Sequence, residues 1–344
     1  MGAYGLQTHI WGNNWKSVLL MAGFPLLLLL LTYALFLLFA GFSGASMGKD
    51  ELAGPFIWAA DALSRAWPFA IAGAILWFGI AYAFYQNIID AATGAKKVER
   101  SQEPKLYNLL ENLCISRGIT MPSLRIIETE GMNAFATGLH KGQYSVTVTR
   151  GLMNALTDAE LEAVLAHELT HIRNHDVRLL VIAVVFVGIF SFVGEMVFRG
   201  LWYSGGRTRT RSSSSGGRNS GGGALLAIVV ALAMIAIAYA LAIVIRFALS
   251  RRREYLADAG AVELTKNPDA MISALQKISG NAVVNAPSEV REMFIENPHS
   301  DFASLFATHP PIQKRIEALA KYAGGRVAAP TRAPAAEAKA GPWG

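Results

Sequence analysis

Apolar residues gather in four long runs that carry almost no charge. The runs cover residues 17–40, 67–89, 179–197 and 224–245. A helix needs about 20 apolar residues to cross a bilayer, so each run is predicted to be a membrane helix. The first run exceeds the apolar core of about 7–15 residues in a secretory signal, and we expect it to be retained. The pattern predicts a mostly α-helical integral membrane protein with about four apolar membrane segments.

Between these runs, the apolar residues recur with the periods of helices and strands. Leucines at helical spacing predict a helix over residues 105–117. Short apolar or alternating stretches predict strands over 124–128 and 144–149. The sequence Thr157-Asp158-Ala159-Glu160 has the pattern of a capping box, which predicts the start of another helix. These elements indicate an α+β unit with a small sheet at the membrane surface.

The pattern divides the chain into five segments. They are an N-terminal membrane hairpin (1–91), a first part of an α+β domain (92–177), a second membrane hairpin (178–250), a second part of that domain (251–325) and a flexible tail (326–344). Residues 204–223, inside the second hairpin, are rich in Gly, Ser and Arg and lack apolar residues to pack. We expect them to form a disordered loop.

Composition supports the membrane class and excludes others. Hydrophobic residues make up 53% of the chain and charged residues 16%, whereas a soluble domain carries about 25% charged residues. The net charge of +6 fits basic flanks of membrane segments, and no nucleic-acid-binding signature accompanies it. The single cysteine, Cys114, excludes an internal disulfide and is expected to be a buried core thiol.

A metal-binding motif lies in the helix that the capping box opens. His167-Glu168-Leu169-Thr170-His171 has the pattern H-E-x-x-H. Positions i and i+4 share one face of a helix, so both imidazoles can reach one zinc ion. Glu168 is expected to act as general base on a zinc-bound water that attacks the peptide carbonyl. We therefore predict one catalytic Zn²⁺ per chain, bound by His167 and His171.

A catalytic zinc ion also needs a third protein ligand and an open fourth position. The candidates after the motif are His175, Asp176, Glu195, Glu254, Asp258, His299 and His309. Glu254 and Asp258 are four residues apart on one predicted helix. One of them can bind zinc while the other orients a ligand histidine. The competing interpretation is a solvated helix face beside the arginines at 251–253.

Four motifs in a fixed order give the chain a family resemblance. They are Asn133-Ala134-Phe135-Ala136-Thr137-Gly138, Leu165-Ala166-His167-Glu168-Leu169-Thr170-His171, Arg253-Glu254-Tyr255-Leu256-Ala257-Asp258 and Thr308-His309-Pro310-Pro311. Over nearly its whole length, the chain resembles the HtpX-type membrane zinc metallopeptidases, relatives of the prenyl-protein (CaaX) endopeptidases. The resemblance implies a zincin-like catalytic domain, with Glu254 as the third zinc ligand and Asp258 supporting His167.

The resemblance also implies how the substrate is bound. Asn133, with Ala134 and Phe135, would line the groove that receives the substrate backbone, since a peptide binds well as an added strand on a sheet edge. His309 would help to stabilise the oxyanion, because an imidazole can donate a hydrogen bond to it. Taken alone, Asn133 fits an ordinary turn and His309 fits the region before a helix start.

The zinc motif and Glu254 can meet only if the two intervening apolar runs return the chain to one side of the membrane. The opposite side then holds only seven of the 31 Lys and Arg residues. The positive-inside rule therefore predicts an active site in the cytoplasm, at the plasma (inner) membrane of a bacterium. The loop at 204–223 carries four arginines and no acid, which is unusual for a translocated segment. An alternative is that the last two runs form a hairpin that does not cross the bilayer completely.

These features favour a zinc endopeptidase whose partners are the lipid bilayer and protein or peptide substrates. We expect it to cleave membrane or misfolded proteins at the cytoplasmic face, and the resemblance implies membrane protein quality control. An intramembrane protease is an alternative, but polar residues such as Glu160, Asn174 and Asp176 predict a motif in water near the interface. A non-enzymatic zinc-containing membrane scaffold is the other alternative. The intact Glu168 speaks against it, because structural zinc sites usually have four protein ligands.

Overall fold

Three long apolar helices form the membrane part of the protein. The computed structural model describes residues 6–43, 52–182, 199, 222–247, 252–279, 281–284, 293–295 and 310–326. Within these, α1 (Leu6–Ser43), α2 (Gly54–Thr93) and α6 (Gly222–Phe247) are long and apolar enough to cross a membrane. α1 packs against both of the others. Three of the four predicted apolar helices are therefore confirmed.

The remaining predictions for the membrane part concern segments that the structure describes only in part. Of the predicted run at 179–197, the description covers only residues 179–182, which are helical. The loop predicted at 204–223 lies outside the described residues except for its last two, which open α6. Of the tail predicted at 326–344, only the first residue is described. These segments and the division into domains stay predictions.

A small mixed sheet follows α2 in the chain. Its strands are β1 (Lys96–Lys97), β2 (Ser123–Ile127), β3 (Ala134–Thr137) and β4 (Ser145–Thr149). The strand order is β1-β2-β4-β3, in which β2 and β4 are parallel and the other two pairs are antiparallel. β2 and β4 match the predicted strands within one residue at each end. β3 was not predicted, because Ala-Phe-Ala-Thr has no alternation of apolar and polar residues.

Besides the partly described helix that begins at residue 176, six further helices belong to the described structure. They are α3 (Pro104–Arg117), α4 (Arg150–Ala155), α5 (Asp158–Arg173), α7 (Arg252–Thr265), α8 (Pro268–Ile278) and α9 (Ile312–Ala323). α5 is central and contacts α3, α7, α8 and β3. One apolar core joins the sheet with α3, α5, α8 and α9. α3 confirms the helix predicted from the leucine spacing.

The predicted capping box opens α5. The Glu160 N–H donates to the Thr157 hydroxyl at 3.4 Å, and the Thr157 N–H donates to the Glu160 carboxylate at 2.7 Å. The same carboxylate accepts hydrogen bonds from Ser273 at 2.5 Å and Lys277 at 2.7 Å, both on α8. Glu160 therefore fixes the start of α5 and joins it to a helix from the later part of the chain.

α7 crosses α5 at very close range. A Cβ atom at Gly260 would overlap the side chain of Thr170, so the crossing requires a residue without a side chain. This approach brings the first turn of α7, with Glu254, against the face of α5 that carries His167 and His171.

The end of α2 is fixed to the sheet by polar contacts. The Tyr85 hydroxyl donates to the Gln143 carbonyl at 2.8 Å, and Arg125 pairs with Asp90 at 2.6 Å. The Gln86 side chain also accepts a hydrogen bond from the sheet. The second apolar helix therefore ends directly on the unit that contains α5.

Candidate active site

Two histidines and a glutamate converge where α7 packs against α5. His167 and His171 lie one turn apart, and their Nε2 atoms are separated by 3.1 Å. Glu254 places a carboxylate oxygen 3.7 Å from the Nε2 atom of each histidine. One ligand atom from each of the three residues lies within 4.8 Å of the others, so the group could hold a metal ion.

A carboxylate supports each histidine from behind. His167 Nδ1 lies 2.9 Å from Asp258, and His171 Nδ1 lies 2.9 Å from Asp176. When Nδ1–H donates to a carboxylate, the lone pair on Nε2 is left to face a metal. The structure brings Asp258 to the histidine that the resemblance named, and it brings Asp176 to an equivalent place that sequence reasoning missed.

Three of the polar residues around the motif are buried inside the protein fold, while the position of the motif in water near the membrane interface stays a prediction. Glu160, Asn174 and Asp176 are respectively 6%, 0% and 2% exposed. After α5 the chain turns at His175, whose φ is 61°. This turn carries Asp176 back to His171. A left-handed residue other than glycine gives little signal in a sequence, which is why the return of Asp176 was not predicted.

Arg315 of α9 is the other residue that sequence reasoning missed. It is completely buried and donates two hydrogen bonds to Asp258, at 2.6 and 2.8 Å. A third hydrogen bond runs to the carbonyl of Ile295 at 3.1 Å, and the guanidinium lies 3.8 Å from Glu254. Nothing distinguished Arg315 from the exposed basic residues of the same amphipathic helix.

These charges shift the pKa values within the site. Burial raises the pKa of Asp258, but the Arg315 guanidinium outweighs burial and holds that pKa below its usual range. Burial lowers the pKa of His171, but Glu254 and Asp176 together raise it to about 10. The surrounding carboxylates therefore favour a positive charge on or between the histidines.

The donor set fits a metal ion. Two imidazole lone pairs that face each other at 3.1 Å need a cation, either a proton or a metal ion, between them. Imidazole nitrogen and carboxylate oxygen are common zinc ligands, and three protein ligands are typical of a catalytic site. The supporting carboxylates fix both histidines in the orientation that metal binding requires.

Glu168 lines a small cavity beside the metal-binding group. The cavity has a volume of about 10 Å³, roughly the space of one water molecule. Glu168 is 2% exposed, and burial raises its pKa. Ala136 of β3 and the segment 293–295 form part of the same wall. A buried carboxylate with a raised pKa next to such a cavity can exchange a proton with a reacting group.

Asn133 precedes β3 and is almost completely buried. Its side-chain nitrogen, Nδ2, donates to the Ala282 carbonyl at 2.9 Å. Its side-chain oxygen accepts hydrogen bonds from the N–H groups of Ala134, at 3.1 Å, and Ile295, at 3.0 Å. The side chain thus connects β3 to two later segments of the chain. Its role in binding substrate stays a prediction.

Among the other residues predicted to bind the substrate or the oxyanion, the structure describes Phe135 but not His309. Phe135 is buried, and its ring centroid lies 5.1 Å from that of Phe294. His309 lies outside the described residues, so its role at the oxyanion stays a prediction. Cys114 is buried in the core, as predicted, and burial raises the pKa of its thiol to about 11.

Long apolar helices joined to a buried His-His-Glu group, with a second glutamate beside it, define a membrane metallopeptidase. The chain belongs to peptidase family M48, which matches residues 100–323. The family also indicates that the three-residue group holds a metal, and it confirms the resemblance that the four motifs carried.

Curated relatives cover almost the whole chain. A protease HtpX homolog of Bacteroides fragilis is 43% identical over 330 residues, which are 92% of this chain and 99% of the relative. A protease HtpX homolog of Ligilactobacillus salivarius is 34% identical over 91% of this chain and 99% of its own length. A crystal structure of S. mikatae Ste24p aligns with 74% of this chain and 58% of its own, at 21% identity and a TM-score of 0.43.

Proposed function

We propose that the chain is a zinc-dependent endopeptidase with His167, His171 and Glu254 as the zinc ligands and Glu168 as the general base. The convergence of the three ligand residues around a single point carries this proposal. Within the described part of the chain, three residues form that group, and Glu168 is left beside it. A structural zinc ion usually has four protein ligands, so this arrangement favours catalysis.

The residues around the metal have separate tasks in hydrolysis. A bound zinc ion would supply Lewis-acid stabilisation of the developing negative charge. Glu168 takes a proton from the attacking water and passes it to the leaving amine, two steps that suit a carboxylate whose pKa burial has raised. Asp258 and Asp176 keep the histidines oriented. His309 is proposed to donate a hydrogen bond to the oxyanion.

The proposed substrates are protein segments that bind in extended form. β3 is an edge strand of the sheet, and Ala136 of β3 lines the cavity beside Glu168. A sheet edge recognises backbone rather than a particular side chain, and only an unfolded segment can pair with it. This requirement supports membrane or misfolded proteins as substrates and a role in membrane protein quality control.

We assign the active site to the cytoplasmic face of a bacterial inner membrane. Asn14, near the start of α1, contacts His175 at 3.0 Å, and Gln86, near the end of α2, accepts a hydrogen bond from Thr137 of β3 at 2.6 Å. These contacts support a hairpin whose connecting loop lies on the far side of the membrane from the catalytic unit, which consists of the sheet, α3–α5 and α7–α9. Few Lys and Arg residues occur on that far side, as the positive-inside rule expects for a translocated segment.

Zinc content and casein cleavage of Glu168→Gln test the proposal. The wild type and the variant would be purified in detergent under chelation and then reloaded with zinc. We expect both to bind about one zinc ion, while the variant loses roughly 10²–10⁴-fold in kcat. Glu162→Gln, at the partly exposed position six residues earlier on α5, is the matched control and should retain activity. If the wild type binds zinc but does not cleave casein, the non-enzymatic membrane scaffold is favoured. If Glu168→Gln cleaves casein as fast as the wild type, Glu168 is not the general base.

A further inference from the structure

Arg253 lies in the first turn of α7, directly before Glu254 of the metal-binding group. Its side chain is only 4% exposed, and its Nε–H donates to the Glu254 carboxylate at 3.2 Å. Arg253 also lines the cavity beside Glu168, together with Ala136 of β3. A second buried arginine, besides Arg315, therefore lies beside the metal-binding group.

The two buried arginines use their hydrogen-bond donors differently. Each of the three guanidinium nitrogens of Arg315 donates to Asp258 or to the carbonyl of Ile295. In Arg253, Nη1 is buried and has no hydrogen-bond partner within the described part of the chain. A buried donor without an acceptor destabilises a protein, and such a group in a native structure needs a specific explanation. The unused donor of Arg253 indicates that a ligand supplies the acceptor.

The cavity limits what that acceptor can be. Its volume of about 10 Å³ leaves space for about one water molecule or one carbonyl oxygen. Two carboxylates, those of Glu168 and Glu254, already line the cavity, and their negative charge disfavours an anionic acceptor there. At Ala136 the cavity reaches the edge strand β3, where an extended peptide would present a backbone carbonyl at every residue. A neutral carbonyl oxygen of the substrate fits these conditions.

We propose that Arg253 binds a backbone carbonyl of the substrate next to the scissile bond. Its Nη1–H donates to that oxygen, while its Nε–H stays on Glu254. Arg253 therefore touches the substrate, whereas Arg315 acts only through Asp258. The contact adds affinity without a preference for any side chain, and it is made equally before and during the reaction. This inference rests on the proposed function, since it assumes a peptide substrate in this cavity.

Arg253→Lys tests the inference in full-length, zinc-loaded protein in detergent. A lysine ammonium can still pair with Glu254 but lacks the guanidinium arm that carries Nη1. With a casein peptide that the wild type cleaves, we expect KM to rise at least about tenfold and kcat to stay within about threefold, because a contact made equally in the ground and transition states changes KM alone. In the inactive Glu168→Gln background, the Kd of the same peptide should rise by a similar factor. The zinc content should stay at about one ion per chain.

Two further variants complete the experiment. Arg117→Met removes an exposed arginine at the end of α3 and is the control, which should change none of these values. Arg253→Gln has a shorter side chain that also lacks Nη1, and it should show the same loss of affinity. It decides the test if Arg253→Lys does not fold.

Three results would overturn the inference. A lower kcat with an unchanged Kd means that Arg253 acts only on the reacting group. Loss of zinc from the Arg253 variants means that Arg253 only holds Glu254 in place. A loss of affinity that disappears when the acidic residues of the peptide are replaced by their amides means that Arg253 binds side-chain carboxylates. If the wild type cleaves the peptide, each result removes the inference alone, whereas a wild type that cleaves no casein peptide removes the proposed function as well.

Discussion

Arg315 is the largest side chain that the described structure buries completely. It carries a positive charge into the protein and places it against Asp258, with Glu254 nearby. Asp258 in turn holds His167. A charge so deep in the protein persists only because its partners are fixed around it. Arg315 therefore supports the metal-binding group through Asp258 and stabilises α9 against α7.

Removal of the Arg315 charge should destabilise the protein strongly. Arg315→Met leaves the Asp258 carboxylate buried without its partner, and breaking a buried pair in this way costs about 3–5 kcal/mol. Arg315→Lys retains the charge but loses the bidentate hydrogen bonding to Asp258, so we expect an intermediate loss of stability. Thermal unfolding in detergent measures both variants. Lys314→Met, at the exposed neighbouring position, is the control, and an unfolding midpoint for Arg315→Met equal to that of the control would contradict the prediction.

At the scale of single residues, the sequence predicted the arrangement of those side chains whose type and spacing both indicate the same site. The i, i+4 spacing of His167 and His171 indicates one shared face on a helix, and the structure has that arrangement. Asp176 and Arg315 were missed because their positions depend on a left-handed turn and on the packing of a distant helix. Neither feature leaves a local pattern of residue types.

Glu160 joins elements that are far apart in the sequence. Its carboxylate completes the capping box of α5 and also binds Ser273 and Lys277 of α8. Burial raises the pKa of Glu160, but the hydrogen bonds from Lys277, Ser273 and Thr157 lower it below its ordinary value. The ionised form is therefore the one that stabilises the fold.

The stabilisation from Glu160 should depend on pH. A carboxyl group whose pKa is lower in the folded state contributes fully above its unfolded pKa of about 4.3 and loses that contribution as the pH falls through its folded pKa. We expect Glu160→Gln to lower the stability at pH 7 by about 1–3 kcal/mol and the difference from wild type to shrink below about pH 4. Thermal unfolding of wild type and Glu160→Gln between pH 7 and about pH 4 measures this difference in stability, with Glu162→Gln as the control. Equal stability of wild type and Glu160→Gln at pH 7 would count against the assigned contacts.

Secondary structure was predictable where local signals are strong. The leucine spacing of α3 and the capping box of α5 each identified a helix, and β-branched residues identified β4. β3 was missed because Ala-Phe-Ala-Thr shows neither the alternation of apolar and polar residues nor the run of β-branched residues that identified β4. The pairing of β3 with β4 is a tertiary feature, and short strands of this kind take their structure from their neighbours.

At the scale of the whole molecule, the membrane helices and the catalytic unit form a consistent topology. Gly41, near the end of α1, packs directly against the start of α6 at Ala224 and Ile228. Asn14, near the other end of α1, contacts His175 in the catalytic unit. α6 therefore begins on the side away from the catalytic unit, and the chain returns to that unit in α7.

This topology predicts the accessibility of engineered cysteines. In a Cys114→Ser background, Lys97→Cys lies in the catalytic unit and Lys49→Cys lies between α1 and α2. A membrane-impermeant maleimide should label Lys97→Cys only in inside-out vesicles and Lys49→Cys only in right-side-out vesicles. Labelling of both cysteines in the same vesicle type would contradict the hairpin, and the reverse pattern would contradict a cytoplasmic active site.

The most direct test of the central claim is the zinc X-ray absorption spectrum of the reconstituted protein. We expect about one zinc ion per chain, with two imidazole ligands near 2.0–2.1 Å and the remaining ligands oxygen. The spectrum of Glu254→Gln should lose part of its oxygen shell, while that of the control Glu263→Gln should match the wild type. A sulfur shell near 2.3 Å, or a Glu254→Gln spectrum identical to that of the wild type, would contradict a site built from His167, His171 and Glu254.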